Sequence, residues 1–64
     1  MTIAELLEPL DKYRVNYIKI HTNDGLYIYN MDGPSKELEI YRWFGNCRVK
    51  LWRADFGDSL YIEI

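Results

Sequence analysis

The sequence has little of the side-chain chemistry that supports disulfides, metal sites or catalysis. It contains one cysteine, Cys47, and one histidine, His21. A lone cysteine cannot close an internal disulfide, so we expect a fold that depends on its core, in a reducing cytoplasm. No second histidine or cysteine supports a zinc site, and no Ser-His-Asp or Cys-His arrangement has evident partners. We therefore expect a protein that is not an enzyme and holds no metal or cofactor.

The sequence also lacks a large excess of charge of one sign and a long apolar run. Eight basic and ten acidic residues give a formal net charge of −2. This balance argues against a general DNA-binding protein, which carries an excess of positive charge. The net negative charge is also too small for a DNA mimic, which needs many acidic residues. No segment approaches the roughly 20 apolar residues of a membrane span. The first residues show no basic region followed by an apolar run, so we expect no signal peptide.

Aromatic residues, in contrast, are abundant. Tyr, Trp and Phe make up 16% of the 64 residues. We expect residues 1–64 to form a single domain, because so short a chain supports only one core. A core of this size cannot enclose every aromatic ring, so several rings should lie at the surface.

The residue pattern predicts a short helix followed by a sheet. Thr2 and Glu5 have the spacing of a capping box, and Pro9 limits the helix to about two turns, so that it ends or kinks near Glu8. Alternating β-branched and aromatic residues then predict five strands. The strands lie at residues 17–22, 26–30, 37–44, 47–54 and 59–64, with a loop at 31–36 and turns at 23–25, 45–46 and 56–57.

The register of the strands follows from burial of one face. Two registers are open at residues 23–25. A two-residue turn would pair Ile20 with Tyr29, whereas a three-residue loop with Gly25 in the left-handed region pairs Ile20 with Ile28. We favour the second, because it places the apolar residues of both strands on one face. Two-residue turns further along predict these cross-strand pairs: Phe44–Cys47, Ile40–Leu51, Leu51–Ile62 and Trp52–Tyr61.

The predicted fold is α+β, with a short N-terminal helix packed on one face of a five-stranded antiparallel sheet. The alternation of side chains along the predicted strands places Arg42 and Arg53 on the core face. We expect both at the edge of that face, with the aliphatic part of each side chain buried and the guanidinium group in water. The predicted core consists of the apolar residues of the helix and of the face beneath it: Ile3, Leu6, Leu7, Leu10, Ile18, Ile20, Ile28, Leu38, Ile40, Phe44, Val49, Leu51, Leu60 and Ile62.

The opposite face of the predicted sheet carries the candidate binding residues. Tyr and Trp together with Arg are typical of protein interfaces, although aromatic pairs across strands also stiffen an exposed sheet. The face could be covered by a partner protein, a second copy of the chain or a flat nucleotide base. The aromatic anchors and the basic residues that would tune orientation are Tyr41, Trp43, Arg48, Lys50, Trp52 and Tyr61.

A basic stretch leaves nucleic acid open as a partner. Basic residues among stacking aromatics can hold single-stranded nucleic acid. Ordinary solvation of the sheet, with charge pairs to Glu39 and Glu63, accounts for the same pattern, and we favour that interpretation. The basic residues fall in one predicted hairpin, within residues 40–54, which contain no acidic residue: Arg42, Arg48, Lys50 and Arg53.

The chain resembles short proteins carried by bacteriophages and prophages. The similar segments are the opening Met-Thr-Ile-x-Glu-Leu-Leu, residues 52–56 (Trp-Arg-Ala-Asp-Phe) and residues 60–64 (Leu-Tyr-Ile-Glu-Ile). Small phage proteins often block host machinery by binding it, as anti-CRISPR proteins do. The resemblance therefore implies a non-enzymatic inhibitor of a bacterial host protein, in the host cytoplasm. A small nucleic-acid or signalling-nucleotide binding protein, and a homodimer, stay open as alternatives.

Overall fold

A computed structural model describes residues 1–10, 15–31, 34–56 and 58–64, and only the backbone of Pro34. The elements follow in the order α1 (Ile3–Leu7), β1 (Tyr17–Thr22), β2 (Gly25–Asn30), α2 (Pro34–Phe44), β3 (Leu51–Asp55) and β4 (Ser59–Glu63). The predicted α+β class is confirmed. The predicted five-stranded antiparallel sheet is wrong, because the described residues form one mixed sheet of four strands.

The order of strands across the sheet is β2-β1-β4-β3. The two central strands, β1 and β4, run parallel, and each pairs with its own hairpin partner in antiparallel fashion. The parallel pair requires a connection that crosses the sheet, and α2 lies in that connection. The helix carries the chain from one edge strand, β2, to the other, β3.

The largest correction concerns residues 37–44, which the alternating pattern assigned to a strand. They belong to α2, a helix of 11 residues that begins at Pro34. Proline is favoured at the first helical position, because its missing N–H would have no intrahelical partner there. Ile40 and Phe44 are four residues apart and share the inner side, whereas Leu38 faces nearly the opposite way. The pairs predicted for residues 40 and 44 as strand residues are accordingly wrong.

The predicted loop at residues 31–36 is partly replaced by other structure. Met31 is buried in the core, and its N–H donates to the carbonyl of Asn16 at 3.0 Å. Ser35 and Lys36 lie in the first turn of α2. Positions 32 and 33 of this loop, and position 57 of the predicted turn at 56–57, lie outside the described residues.

The β1–β2 hairpin differs in register from the prediction. Gly25 has a φ of +142°, in the region that favours glycine, as the predicted loop required. Thr22 nevertheless pairs with Gly25, so that Ile20 lies opposite Tyr27 rather than Ile28. A shift of one residue moves a strand's side chains to the other face. Ile28 therefore lies on the outer face of the sheet, the side away from the helices, and is 57% exposed.

The β3–β4 hairpin is also shifted. The predicted pairs of Leu51 with Ile62 and Trp52 with Tyr61 are wrong, because Trp52 lies opposite Ile62 and Tyr61 lies opposite Arg53. The connection at residues 56–58 is one residue longer than the predicted two-residue turn. Trp52 consequently moves to the helix side of the sheet and Arg53 to the outer face, which removes a charged residue from the core face.

The core lies between the helices and the sheet. All of its members except Met31 were predicted from the sequence. Apolar spacing in α1, β1 and β4 identifies the buried side of these elements, whereas Ile40 was expected in the core as a strand residue and is buried there as a helix residue. The buried residues are Ile3, Leu6, Leu7, Ile18, Ile20, Met31, Ile40, Leu60 and Ile62. Three further predicted core residues are half-buried at its margin: Leu10, Phe44 and Val49. Another three are exposed: Ile28, Leu38 and Leu51.

The N-terminal end of α1 is fixed by the predicted capping box. The N–H of Glu5 donates to Thr2 Oγ1 at 3.2 Å, and the N–H of Thr2 donates to the Glu5 carboxylate at 3.0 Å. The Thr2 backbone N–H, and after it the Thr2 side chain, lower the pKa of Glu5. The stability gained by this carboxylate is therefore present above its ordinary pKa of 4.5 and lost as the pH falls through the lowered pKa.

Two further amides of α1 donate to the turn that follows α2. The N–H of Ile3 bonds to the carbonyl of Cys47 at 3.0 Å, and that of Ala4 bonds to the carbonyl of Gly45 at 3.1 Å. Helix-start amides have no partner within their own helix, so this turn satisfies them. Gly45 is required in the turn, because a Cβ there would lie 2.5 Å from the carbonyl oxygen of Tyr41.

We predict that Thr2→Ala lowers the free energy of unfolding by about 1 kcal/mol, because it removes the oxygen that caps α1. Urea unfolding followed by circular dichroism measures this change. The control is Thr2→Ser, which keeps the acceptor oxygen and should retain most of the stability. Equal stability of all three proteins would contradict a stabilising role for the cap.

Candidate functional site

The outer side of α2 forms a shallow groove of about 620 Å³. Because Ile40 and Phe44 turn inward, the residues on the other side of the helix face solvent. Lys36 and Glu39 form an exposed ion pair at 3.7 Å beside this groove, a contact of small energetic weight. We call the lining residues the α2 surface: Ser35, Leu38, Glu39, Arg42 and Trp43.

Two large apolar side chains lie on the α2 surface, among polar and charged ones. Leu38 and Trp43 are each 67% exposed, although neighbouring Ile40 is fully buried. A tryptophan usually buries most of its area in a folded protein, so this exposure leaves much apolar surface in water. Arg42 lies between them in sequence and is exposed as well. Trp and Arg are among the side chains that most often contribute binding energy at protein interfaces.

The α2 surface continues into a second groove, of about 510 Å³, between α2 and β2. We call it the aromatic groove; it is lined by Tyr27, Tyr29, Glu39, Trp43 and Phe44. The ring centroids of Tyr27 and Phe44 are 5.2 Å apart, and those of Tyr29 and Phe44 are 6.3 Å apart, both within the range of favourable aromatic contacts. Burial, and after it the nearby Glu39 carboxylate, raise the pKa of Tyr29.

The outer face of the sheet carries a different set of interactions. Lys19 Nζ lies 3.3 Å from Asp55 Oδ2, and the other carboxylate oxygen, Asp55 Oδ1, accepts the N–H of Phe56 at 2.9 Å. The Phe56 N–H, followed by Lys19, lowers the pKa of Asp55. The guanidinium of Arg53 lies 4.5 Å from the ring centre of Tyr61. Two of the basic groups on this face are thus held against an acidic or aromatic neighbour.

The six predicted binding residues do not share one face. Trp43 belongs to the α2 surface and the aromatic groove, whereas half-buried Tyr41 lies on the side of α2 that faces α1, near Ala4. Trp52 lies on the helix side of β3 and is 46% exposed. The common face was inferred from a strand at residues 37–44, and it is lost because those residues are helical.

The remaining predicted residues are separated as well. Tyr61 lies on the outer face of the sheet, opposite Arg53. Arg48 and Lys50 are exposed in the segment between α2 and β3, where Arg48 forms an isolated bridge with Thr2. The predicted basic hairpin is therefore divided, since Arg42 is on α2 and Arg53 is on β3.

Sequence reasoning missed Leu38 and Arg42 as surface residues. Both were placed on a core face, because alternation was counted across residues that are helical. The signal that could have identified them is the combination of Pro34 as a helix start with Ile40 and Phe44 four residues apart.

Neither a family model, nor a curated protein, nor a solved structure matches the chain. Within residues 1–10, 15–31, 34–56 and 58–64, no three His, Cys, Asp or Glu residues lie close enough together to hold a metal ion. In the same part of the chain, no helix combines the length and apolar character needed to cross a membrane.

We predict that Leu38→Ala and Trp43→Ala each change the free energy of unfolding by no more than about 1 kcal/mol, because most of both side chains is in water. Ile40→Ala should lower it by about 2–5 kcal/mol, because it opens a cavity in the core. Thermal or urea unfolding measures all three. A loss at Trp43 as large as that at Ile40 would show that the tryptophan is a structural residue.

Proposed function

We propose that this chain is a non-enzymatic binding protein, carried by a phage, that inhibits a bacterial host protein. The specific proposal is a bacterial defence factor, inhibited in the manner of anti-CRISPR proteins. The observation that carries the proposal is the exposure of Leu38 and Trp43 beside Arg42 on one helical surface. The proposal takes these two exposed apolar side chains, which line one groove of a small protein, as part of a surface that another protein covers. The resemblance of the chain ends to phage proteins supports the choice of a host target.

The proposed binding surface fits recognition by a helix. An exposed helix can lay its apolar side chains into a groove on a partner, with anchors three to four residues apart. Leu38 and Trp43 are five residues apart, and each has a charged residue four positions away on the same side of the helix: Arg42 follows Leu38, and Glu39 precedes Trp43. In this proposal Trp43 and Leu38 are the apolar anchors, and Arg42 and Glu39 set the orientation through charge.

The second candidate function is binding of single-stranded nucleic acid on the outer face of the sheet. It is favoured by Tyr17, Lys19, His21, Arg53 and Tyr61, which lie on this face of neighbouring strands β1, β4 and β3. Open sheets that carry aromatic and basic side chains can stack bases and contact phosphates. The ion pair of Lys19 with Asp55 reduces the free positive charge there, so we rank this function second.

We predict that expression of the chain in bacteria with active CRISPR immunity raises the plating efficiency of a targeted phage. A panel of strains, each with one defined CRISPR type, provides the measurement. For a strain that responds, Trp43→Ala should weaken inhibition, because loss of a hot-spot anchor costs about 2 kcal/mol, or about 30-fold in affinity.

The matched control is Trp52→Ala, which removes the same side chain from the helix side of β3, away from the α2 surface. It should retain inhibition if it folds. No response in any strain would reject the anti-CRISPR target. A response that survives a folded Leu38→Ala, Trp43→Ala double variant would reject the α2 surface.

For the second function we predict that binding to a fluorescent single-stranded oligonucleotide weakens as salt rises, because phosphate contacts release counterions. Fluorescence anisotropy at several salt concentrations measures the effect. Arg53→Gln should weaken the binding and reduce its salt dependence, whereas Arg42→Gln, on α2, should not. Absence of binding at low salt would remove this function.

A further inference from the structure

β2 is an uncovered edge of the sheet. Among the described residues no strand lies beyond it, and its pairing with β1 is unbroken from Gly25 to Asn30. Its six residues, Gly-Leu-Tyr-Ile-Tyr-Asn, include no charged residue and no proline. Leu26 and Ile28 are 51% and 57% exposed. Edge strands of this kind are templates for pairing with another strand, unless charge, proline or a bulge protects them.

The other edge strand, β3, is protected. It contains Arg53 and Asp55, and exposed Lys50 directly precedes it. Charged side chains on an edge oppose pairing with another strand, because docking would desolvate them. The two described edge strands therefore differ within their own residues: β3 contains two charged side chains and β2 contains none, although exposed Asp24 directly precedes β2.

Hydrogen-bond alternation shows which backbone groups of β2 point outward. The N–H of Ile64 donates to the carbonyl of His21 at 2.9 Å, which turns the backbone of His21 toward β4 and away from its β2 partner, Leu26. Backbone groups alternate along an antiparallel pair, so Leu26 and every second residue after it turn away from β1. The residues whose N–H and C=O groups form the outward edge are Leu26, Ile28 and Asn30.

We propose that two copies of this chain pair through β2 in antiparallel fashion, joining their sheets across a two-fold axis at Ile28. This register sets Ile28 against Ile28 of the second copy, Leu26 against its Asn30, and Asn30 against its Leu26. Each of these three pairs exchanges two N–H···O bonds. A shift of two residues, which centres the axis on Tyr27, keeps only two such pairs within the strands. The register at Ile28 therefore uses the outward groups most fully.

A second copy is the occupant that the strand itself fits. Antiparallel pairing about a two-fold axis brings each side chain against one from the same strand, and no charged side chain of β2 meets a like charge. On the helix side, Tyr27 of one copy lies beside Tyr29 of the other, next to Phe44 and the aromatic groove. Aromatic pairs across strands are favourable. The edge is short, so we expect a reversible dimer rather than a permanent one.

This dimer goes beyond the proposed inhibitor function. Its outward edge, at Leu26, Ile28 and Asn30, shares no residue with the α2 surface, and the two adjoin only at the aromatic groove. Sedimentation velocity from about 10 µM to about 1 mM should show a monomer that converts to a dimer. Amide exchange measured by NMR over the same range should slow at Leu26, Ile28 and Asn30. It should not change at Tyr27 and Tyr29, whose amides already bond to β1.

Three variants test the edge. Ile28→Lys places two like charges at the axis and should weaken dimerisation about tenfold or more. Ile28→Pro removes an outward N–H without touching the bonds to β1, so it should fold and stay monomeric. Leu51→Lys makes the same charge change on β3, also on the outer face, and should dimerise like the original chain.

The proposal would be overturned by a monomer over the whole concentration range or by a dimer that survives Ile28→Lys. It would also be overturned if amide exchange slowed equally at Tyr27 and Tyr29 and at Leu26, Ile28 and Asn30. Loss of the dimer in Leu51→Lys to the same extent would also overturn it, because the interface would then be the outer face. Circular dichroism verifies that each variant is folded. If Ile28→Pro does not fold, Ile28→Lys and the exchange pattern decide the question.

Discussion

The hydrogen bonds that join residues 1–4 to residues 45–49 are the constraint on which the rest of the structure depends. The N–H of Val49 donates to the carbonyl of Met1 at 2.8 Å, and the first amides of α1 reach Cys47 and Gly45. α1 has only five residues and would not persist alone. Held by this backbone contact, it places its buried leucines over the sheet and fixes the end of α2, from which the chain enters β3.

The crossing of α2 from one edge of the sheet to the other accounts for both proposed surfaces. Because β1 and β4 pair in parallel at the centre, the chain must leave at β2 and return at β3. The crossing helix covers the sheet with Ile40 and leaves Leu38 and Trp43 in solvent. Among the described residues, the same topology leaves β2 without a neighbouring strand on one side. A surface for a partner and an edge for a second copy thus follow from one connection.

The parts of the fold that could be predicted from the sequence are those governed by local signals. Thr2 and Glu5 specify the cap of α1, and the apolar spacing in α1, β1 and β4 identifies most of the core. Residues 37–44 could not be assigned by periodicity alone, because their apolar positions fit both a strand and a helix. That ambiguity changed the strand count, and slips of one residue in both hairpins moved Ile28 and Trp52 across the sheet.

The candidate site depended on the same non-local information. Trp43 was identified as a surface aromatic and is one, but its expected neighbours were chosen by strand parity. Whether Trp52 and Tyr61 share its face depends on how the hairpins pair, which no short stretch of sequence specifies. Composition could indicate that aromatic rings reach the surface, whereas only the topology could show where they gather.

The parallel contact between β1 and β4 has a consequence for how fast the chain folds. Its partners, such as Ile20 and Ile62, are far apart in sequence, and the contact of α1 with the turn at Gly45 is similarly distant. Neither hairpin can bury its apolar face until the two halves of the chain have met. The loop entropy of that encounter must be overcome before the core forms, so this protein should fold more slowly than helical bundles of equal length.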